Sequence, residues 1–155
     1  MSNRFQRNLP ILLLAGLIVL YIVSVLTNLG CLYLRVEEPR RVLISLEMLE
    51  SGNYLEPHTL GWEYYNKPPV FNWIMAGFFK MAGSDSAFIA RLPSFIFLLL
   101  LGICQYFFSK RYVGKRMALM ASFFTLTSAD LFFYSLSNGA EIDIFYSLVV
   151  YVQAL

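Results

Sequence analysis

Apolar residues along this chain fall in long blocks separated by short polar stretches, not at the spaced intervals of a soluble core. Residues Leu9 to Leu29 carry no charge over 21 positions. That is the length a helix needs to cross ~30 Å of hydrocarbon. A second block runs over 88–108, starting near Ala87 or Leu92, with Pro93 placed in its first turn. A third covers Met117 to about Leu136, and a fourth covers 142–155. The fourth has 14 residues, too few to cross alone,. The pattern predicts an all-α, polytopic helical membrane protein with about four transmembrane helices, the last incomplete, and a native chain that continues beyond Leu155. Arg4 and Arg7 precede the first block as in a signal peptide. The run is longer than a signal h-region and no small-x-small cleavage site follows it, so a retained anchor is expected,.

The connection 30–86 is about 55 residues long, far beyond ordinary connection length, and such segments are functional or disordered,. Its aliphatic and aromatic residues recur at helical spacing, which excludes disorder. Pro39 stands where a helix should begin and Gly52 where it should stop,. Between them Val42, Leu43, Leu46 and Leu49 form an apolar stripe, with Arg41, Ser45, Glu47 and Glu50 assigned to the other faces. A second helix is predicted over Val70 to Met81, with Phe71, Ile74, Met75, Phe78 and Phe79 on one side. Both read as helices lying along a membrane interface, the second alternatively as a re-entrant hairpin. Between them lies Tyr54 to Pro69, a loop rich in Gly, Pro, His, Trp and Tyr, with Trp62 expected at headgroup depth,.

Composition sharpens this picture. Hydrophobic residues make up 58% of the chain and charged residues 14%, against roughly a quarter charged in soluble domains. A net charge of +2 without a Lys/Arg stripe gives no footprint for nucleic acid,. The basic residues are placed informatively. Arg4 and Arg7 lie before the first block, and Lys110, Arg111, Lys115 and Arg116 lie between the second and third. Two intervening spans put both groups on one side, the cytoplasmic side by the positive-inside rule. The loop 30–86 and the turn Ser137–Glu141 then lie outside. Cys31 and Cys104 fall at opposite ends of membrane segments, so no disulfide is expected, and no spacing suggests zinc,.

Several charged residues stand out. Glu37 and Glu38 precede Pro39; at an exposed helix start such charges contribute under ~1 kcal/mol and need no further role,. Asp143 opens the fourth block, where a carboxylate is costly unless paired or facing a water-filled cavity,. Asp130, deeper in the third block, is a second-tier candidate. Arg40 and Lys67 are the cations expected nearest the acidic residues, a planar fork and a point charge that both suit phosphate,. His58 is isolated and is assigned no role.

The order of motifs is informative. The first block is followed by Glu37-Glu38-Pro39-Arg40, Met48-Leu49-Glu50-Ser51-Gly52-Asn53-Tyr54, Tyr64-Tyr65-Asn66-Lys67-Pro68-Pro69 and Ala90-Arg91-Leu92-Pro93-Ser94. From about Ile11 to its end the chain resembles the amino-terminal region of the dolichyl-phosphate-mannose protein mannosyltransferase-like family, especially the bacterial aminoarabinose (lipid A) transferases. The resemblance implies a C-type glycosyltransferase of many membrane helices, in a bacterial inner membrane, with its active site on the outer face. It implies a catalytic role for Glu37, matching a first-loop acidic residue that is usually Asp, and for Asp143, matching a second acidic residue. It assigns Arg40, Lys67 and Tyr64 to the phosphate of a polyprenyl-phosphate-linked sugar. A lipid or protein acceptor and surrounding membrane lipids complete the implied partners. Asn66 departs from the pattern, because many relatives carry Asp or Glu there and in some that carboxylate helps hold a divalent metal. A metal is therefore in doubt, and no cofactor is assigned. The piece in hand is expected to be inactive alone.

Composition alone also admits a non-enzymatic membrane scaffold or lipid-binding subunit. That alternative expects apolar changes in the interfacial helices, and not charge removal at Glu37, Lys67 or Asp143, to abolish function. A transporter half would show paired broken helices and an internal repeat, and neither is visible.

Overall fold

The first apolar block forms helix α1, Ser2–Asn28. The computed structural model describes residues 2–128, 139–140 and 142–154. Helix α2 covers Glu38–Ser51, strands β1 and β2 cover His58–Thr59 and Trp62–Glu63, and α3 covers Val70–Ala82. Helix α4 covers Ala87–Thr127 and α5 covers Ile142–Gln153. Residues from 129 to 138, including Asp130 and the end of the expected third span, lie outside the described residues, as does Glu141.

Helix α4 is two arms, not one rod. Gly114 has φ 77° and ψ 169°, a conformation only glycine adopts readily, and the helix breaks there,. The second arm folds back on the first. Ser122 Oγ donates to the Gly102 carbonyl at 2.7 Å, and a Cβ on Gly102 would lie 2.8 Å from the Leu126 side chain. The missing Cβ is what lets the arms approach this closely. Pro93 is buried in the second turn of the first arm, because the helix starts at Ala87 under a Ser86 cap. The sequence placed it in the first turn. The proline removes a donor to the Ile89 carbonyl but does not end the helix.

The helices alternate in direction. α1 runs antiparallel to the first arm, since Gly30 meets Phe88 at one end while Ile18 and Ile22 share an apolar cavity with Leu99, Gly102 and Ile103 further along. α5 runs parallel to that arm, with Phe145 on Phe97 at 5.1 Å and Tyr151 on Phe108 at 6.3 Å. The basic residues Lys110, Arg111, Lys115 and Arg116 therefore gather around the Gly114 turn at one end. Residues 30–86 lie at the other. Two helices, Leu9–Asn28 and Ala87–Thr127, are long and apolar enough to cross a membrane. Much of α1 is exposed apolar surface, including Leu12, Leu13, Val19 and Leu20.

At the loop end, α2 and α3 pack together over the starts of α4 and α5. Val42, Phe71, Met75, Phe79, Ala90, Ala140 and Ile142 form one buried cluster. The α2 boundaries agree with the sequence: Pro39 lies in the first turn, and Gly52 ends the helix at φ 69° with its N–H bonded to the Met48 carbonyl. The inward face differs. It carries Glu38, Arg41, Val42, Ser45 and Met48, so Arg41 and Ser45 are buried, not turned to other faces. Their polarity is met locally: Ser45 Oγ donates to the Arg41 carbonyl, and Asn72 Nδ2 of α3 donates to that carbonyl and to Ser45 Oγ. Arg41 also lies over the Phe71 ring.

The β1–β2 hairpin was not legible as strands. His58 pairs with Glu63 and Thr59 with Trp62 around a Leu60-Gly61 turn in which both residues have positive φ, 54° and 80°. That pattern fits the mirror-image hairpin turn. Leu60 is an unusual residue for it, and its N–H is held by Glu47 Oε1 at 2.6 Å.

Candidate functional site

The two adjacent carboxylates at the head of α2 have opposite environments. Glu37 is part-exposed and pairs with Arg40 through Oε2 and Nη1 at 2.9 Å. Glu38 is fully buried and pairs with Arg91, itself 1% exposed. Arg91 Nε donates to Oε1 and Nη2 to Oε2, each at 2.8 Å. Its other three N–H groups reach the carbonyls of Leu29, Leu32 and Tyr33. All five guanidinium donors are thus used. Glu38 accepts two more bonds, from Arg35 N–H to Oε2 at 2.8 Å and from Ala140 N–H to Oε1 at 3.2 Å. A buried charge pair persists only when satisfied in this way.

This pair joins four separate segments: the turn that follows α1, the head of α2, the first turns of α4, and Ala140, two residues before α5. The sequence alone does not reveal this pair. One signal was present: Arg91 is an ionisable residue inside an apolar run, and such a residue needs a partner. That the partner is Glu38 follows only from the fold, where Glu38 stands three and seven positions before Arg41 and Ser45 on the buried stripe.

The other predicted residues surround this frame. Tyr64 donates its backbone N–H to the Pro57 carbonyl at 2.7 Å, closing the hairpin loop. Lys67 is half-buried, three residues before α3, and no described hydrogen bond or ion pair ties its ammonium. Asp143 is exposed in the first turn of α5, beside an open recess of about 570 Å³ also lined by Tyr146, Ser147 and Tyr151. The described contacts join Glu37 to Arg40 directly. They do not join Tyr64, Lys67 or Asp143 to that pair, although all five residues lie at the loop end of the bundle. Neighbouring Tyr65 has its phenol pKa raised, by desolvation first and then by the charges of Glu63 and Glu56. His58 lines a separate acidic recess with Glu47, Glu50 and Glu56 and binds the Glu56 carbonyl through Nδ1. Among the described residues no three His, Cys, Asp or Glu side chains group as a metal site would require. Cys31 and Cys104 are free thiols.

The fold is a bundle of apolar helices alternating in direction, two of them long and apolar enough to cross a membrane, with charged residues gathered at the end that carries the long loop. Residues 66–155 match the model of the dolichyl-phosphate-mannose-protein mannosyltransferase family, and the chain belongs to that family. It is 31% identical over 136 residues to an undecaprenyl phosphate-alpha-4-amino-4-deoxy-L-arabinose arabinosyl transferase of Edwardsiella ictaluri, covering 87% of this chain and 24% of that protein. A relative of the same name from Pseudomonas savastanoi pv. phaseolicola is 48% identical over 40 residues, 26% of this chain and 8% of its own length. A third, arabinosyl transferase 2 of Sodalis glossinidius, is 32% identical over 108 residues, 69% of this chain and 19% of its own length. The chain thus spans at most about a quarter of these relatives. No solved structure matches it.

Proposed function

We propose that this chain forms part of a membrane glycosyltransferase that moves a sugar from a polyprenyl-phosphate donor to a lipid or protein acceptor on the non-cytoplasmic side. Family membership and the names of the relatives support the reaction class. The observation that carries the reading is the convergence of the loop segments: one buried ion pair gathers the head of α2 and the start of α5, bringing Glu37, Arg40 and Asp143 to one end of the bundle.

In this reading α1, both arms of α4 and α5 belong to four spans, with the basic Gly114 turn cytoplasmic. α2 and α3 lie along the outer interface. The donor arrives laterally with its phosphate beside Arg40 and Lys67, and Tyr64 contributes to the same subsite. Arg40 exchanges its exposed contact with Glu37 for phosphate oxygen, a small loss because such i,i+3 pairs contribute only about 0.2–0.5 kcal/mol. An acceptor oxygen then attacks the anomeric carbon. The bond from that carbon to the lipid phosphate breaks, and the phosphate leaves with the electron pair, its growing charge met by the two cations. Glu37 or Asp143 takes the acceptor's proton where the acceptor is a hydroxyl. One displacement inverts the anomeric centre.

The test uses membranes containing the full-length protein and a labelled polyprenyl-phosphate sugar. Transfer of label with inverted anomeric configuration is expected. Absence of transfer from any such donor, or retention of configuration, overturns the proposal.

A further inference from the structure

We propose that Glu38 and Arg91 are a positioning pair that fixes the backbone carrying Glu37 relative to the turn that leads into Asp143, while taking no part in the chemistry themselves. The inference rests on the glycosyltransferase reading for the roles of Glu37 and Asp143, and on the hydrogen bonds alone for the pair's mechanical role.

Three observations carry it. First, the pair is saturated. Arg91 uses all five of its N–H groups, and each Glu38 oxygen already accepts two bonds. With Glu38 fully buried and Arg91 1% exposed, no donor or lone pair is left for a substrate. The exposed carboxylate beside it, Glu37, is the one a substrate can reach.

Second, the pair brackets Glu37. The Arg35 N–H donates to Glu38 Oε2, and the Glu38 N–H donates to the Arg35 carbonyl at 3.0 Å. Inside that closed turn Val36 has φ 53°. A β-branched residue rarely adopts that conformation, and it persists only where surrounding bonds over-determine it. Val36 is exposed and gains nothing from packing there. The turn is held from Glu38, and its effect is to fix the residue between, Glu37.

Third, the same Glu38 oxygen that receives Arg91 Nε receives the Ala140 N–H, across 102 positions of sequence. Asp143 follows Ala140 by three residues, and Ile142 is locked into the cluster shared by α2, α3 and α4. One carboxylate therefore references both candidate catalytic carboxylates to a common point. Catalysis is sensitive to such placement, because a misplacement of about 1 Å can lower rate by roughly a hundredfold.

The experiment compares full-length wild-type protein with Glu38→Asp and Glu38→Gln in membranes. It measures amide hydrogen exchange together with kcat and donor KM per folded molecule. Each variant should raise exchange at least tenfold in peptides covering 33–38 and 139–143 while leaving 70–82 unchanged. kcat should fall at least tenfold with donor KM within threefold, a split that a merely structural role would not produce. If the variants do not fold, wild-type exchange decides: the two peptides should open in one cooperative step, and independent opening overturns the proposal. Unchanged kcat per folded molecule in a variant with raised exchange also overturns it. If the wild-type protein transfers no sugar, the glycosyltransferase reading fails, while the exchange data still decide the mechanical role.

Discussion

Arg91 and Glu38, 53 positions apart, meet through two bonds of 2.8 Å, both side chains buried. Arg91 also holds the turn that follows α1, through the backbone carbonyls of Leu29, Leu32 and Tyr33. Lysine offers three donors from a single point and cannot reproduce a five-donor fork. Arg91→Lys therefore leaves buried acceptors unmet, at about 1–3 kcal/mol for each. Arg91→Ala leaves Glu38 as an unpaired buried charge, a loss of about 3–5 kcal/mol. Thermal unfolding of the detergent-solubilised protein should rank wild type above Arg91→Lys and Arg91→Ala last. Equal melting temperatures would show that the pair contributes nothing to the fold.

The Gly102–Leu126 contact makes a second prediction. A Cβ at position 102 would fall 2.8–3.1 Å from three carbon atoms of Leu126, including its branching Cγ. Gly102→Ala should destabilise the α4 hairpin by about 1–3 kcal/mol through overpacking. Leu126→Ala combined with it should recover part of that loss. A double-mutant cycle measures the coupling, and additive effects would mean that the two arms do not touch there.

Leu60 offers a stabilising change. It holds φ 54° at the hairpin turn with its side chain largely in solvent, so little packing is lost on removing it. The left-handed conformation costs a non-glycine residue about 1–2 kcal/mol. Leu60→Gly should raise stability by about 1 kcal/mol less the added freedom of the unfolded chain, with the Leu60 N–H to Glu47 bond retained,. A drop in melting temperature would indicate that the Leu60 side chain is held by a contact outside this chain.

The helices were readable because their signals are local. Pro39 and Gly52 bound α2, and the stripe through Phe71, Met75 and Phe79 marks α3. The choice between Glu37 and Glu38 was not local. Which of two neighbouring carboxylates turns inward depends on Arg91, and nothing within a few residues of Pro39 reveals it. Arg41 and Ser45 misled for the same reason: they are polar, yet the buried face of α2 is built partly from polar groups that satisfy one another and Asn72. The hairpin is silent in the sequence because Leu60-Gly61 lacks the Asn or Asp that usually announces such a turn. Gly114 could be read as a break, but its role in reversing α4 needed the contacts of Gly102 and Ser122.

In the proposed reaction Lys67 binds the donor phosphate and Glu37 acts at the reacting centre. Steady-state transfer by full-length Lys67→Ala and Glu37→Gln, each compared with wild type at equal amounts of folded protein, tests it most directly. Lys67→Ala should raise donor KM at least tenfold. Glu37→Gln should lower kcat by about 10²–10⁴ with donor KM little changed, as loss of a general base does. Transfer at wild-type kcat and KM in both variants would contradict the account.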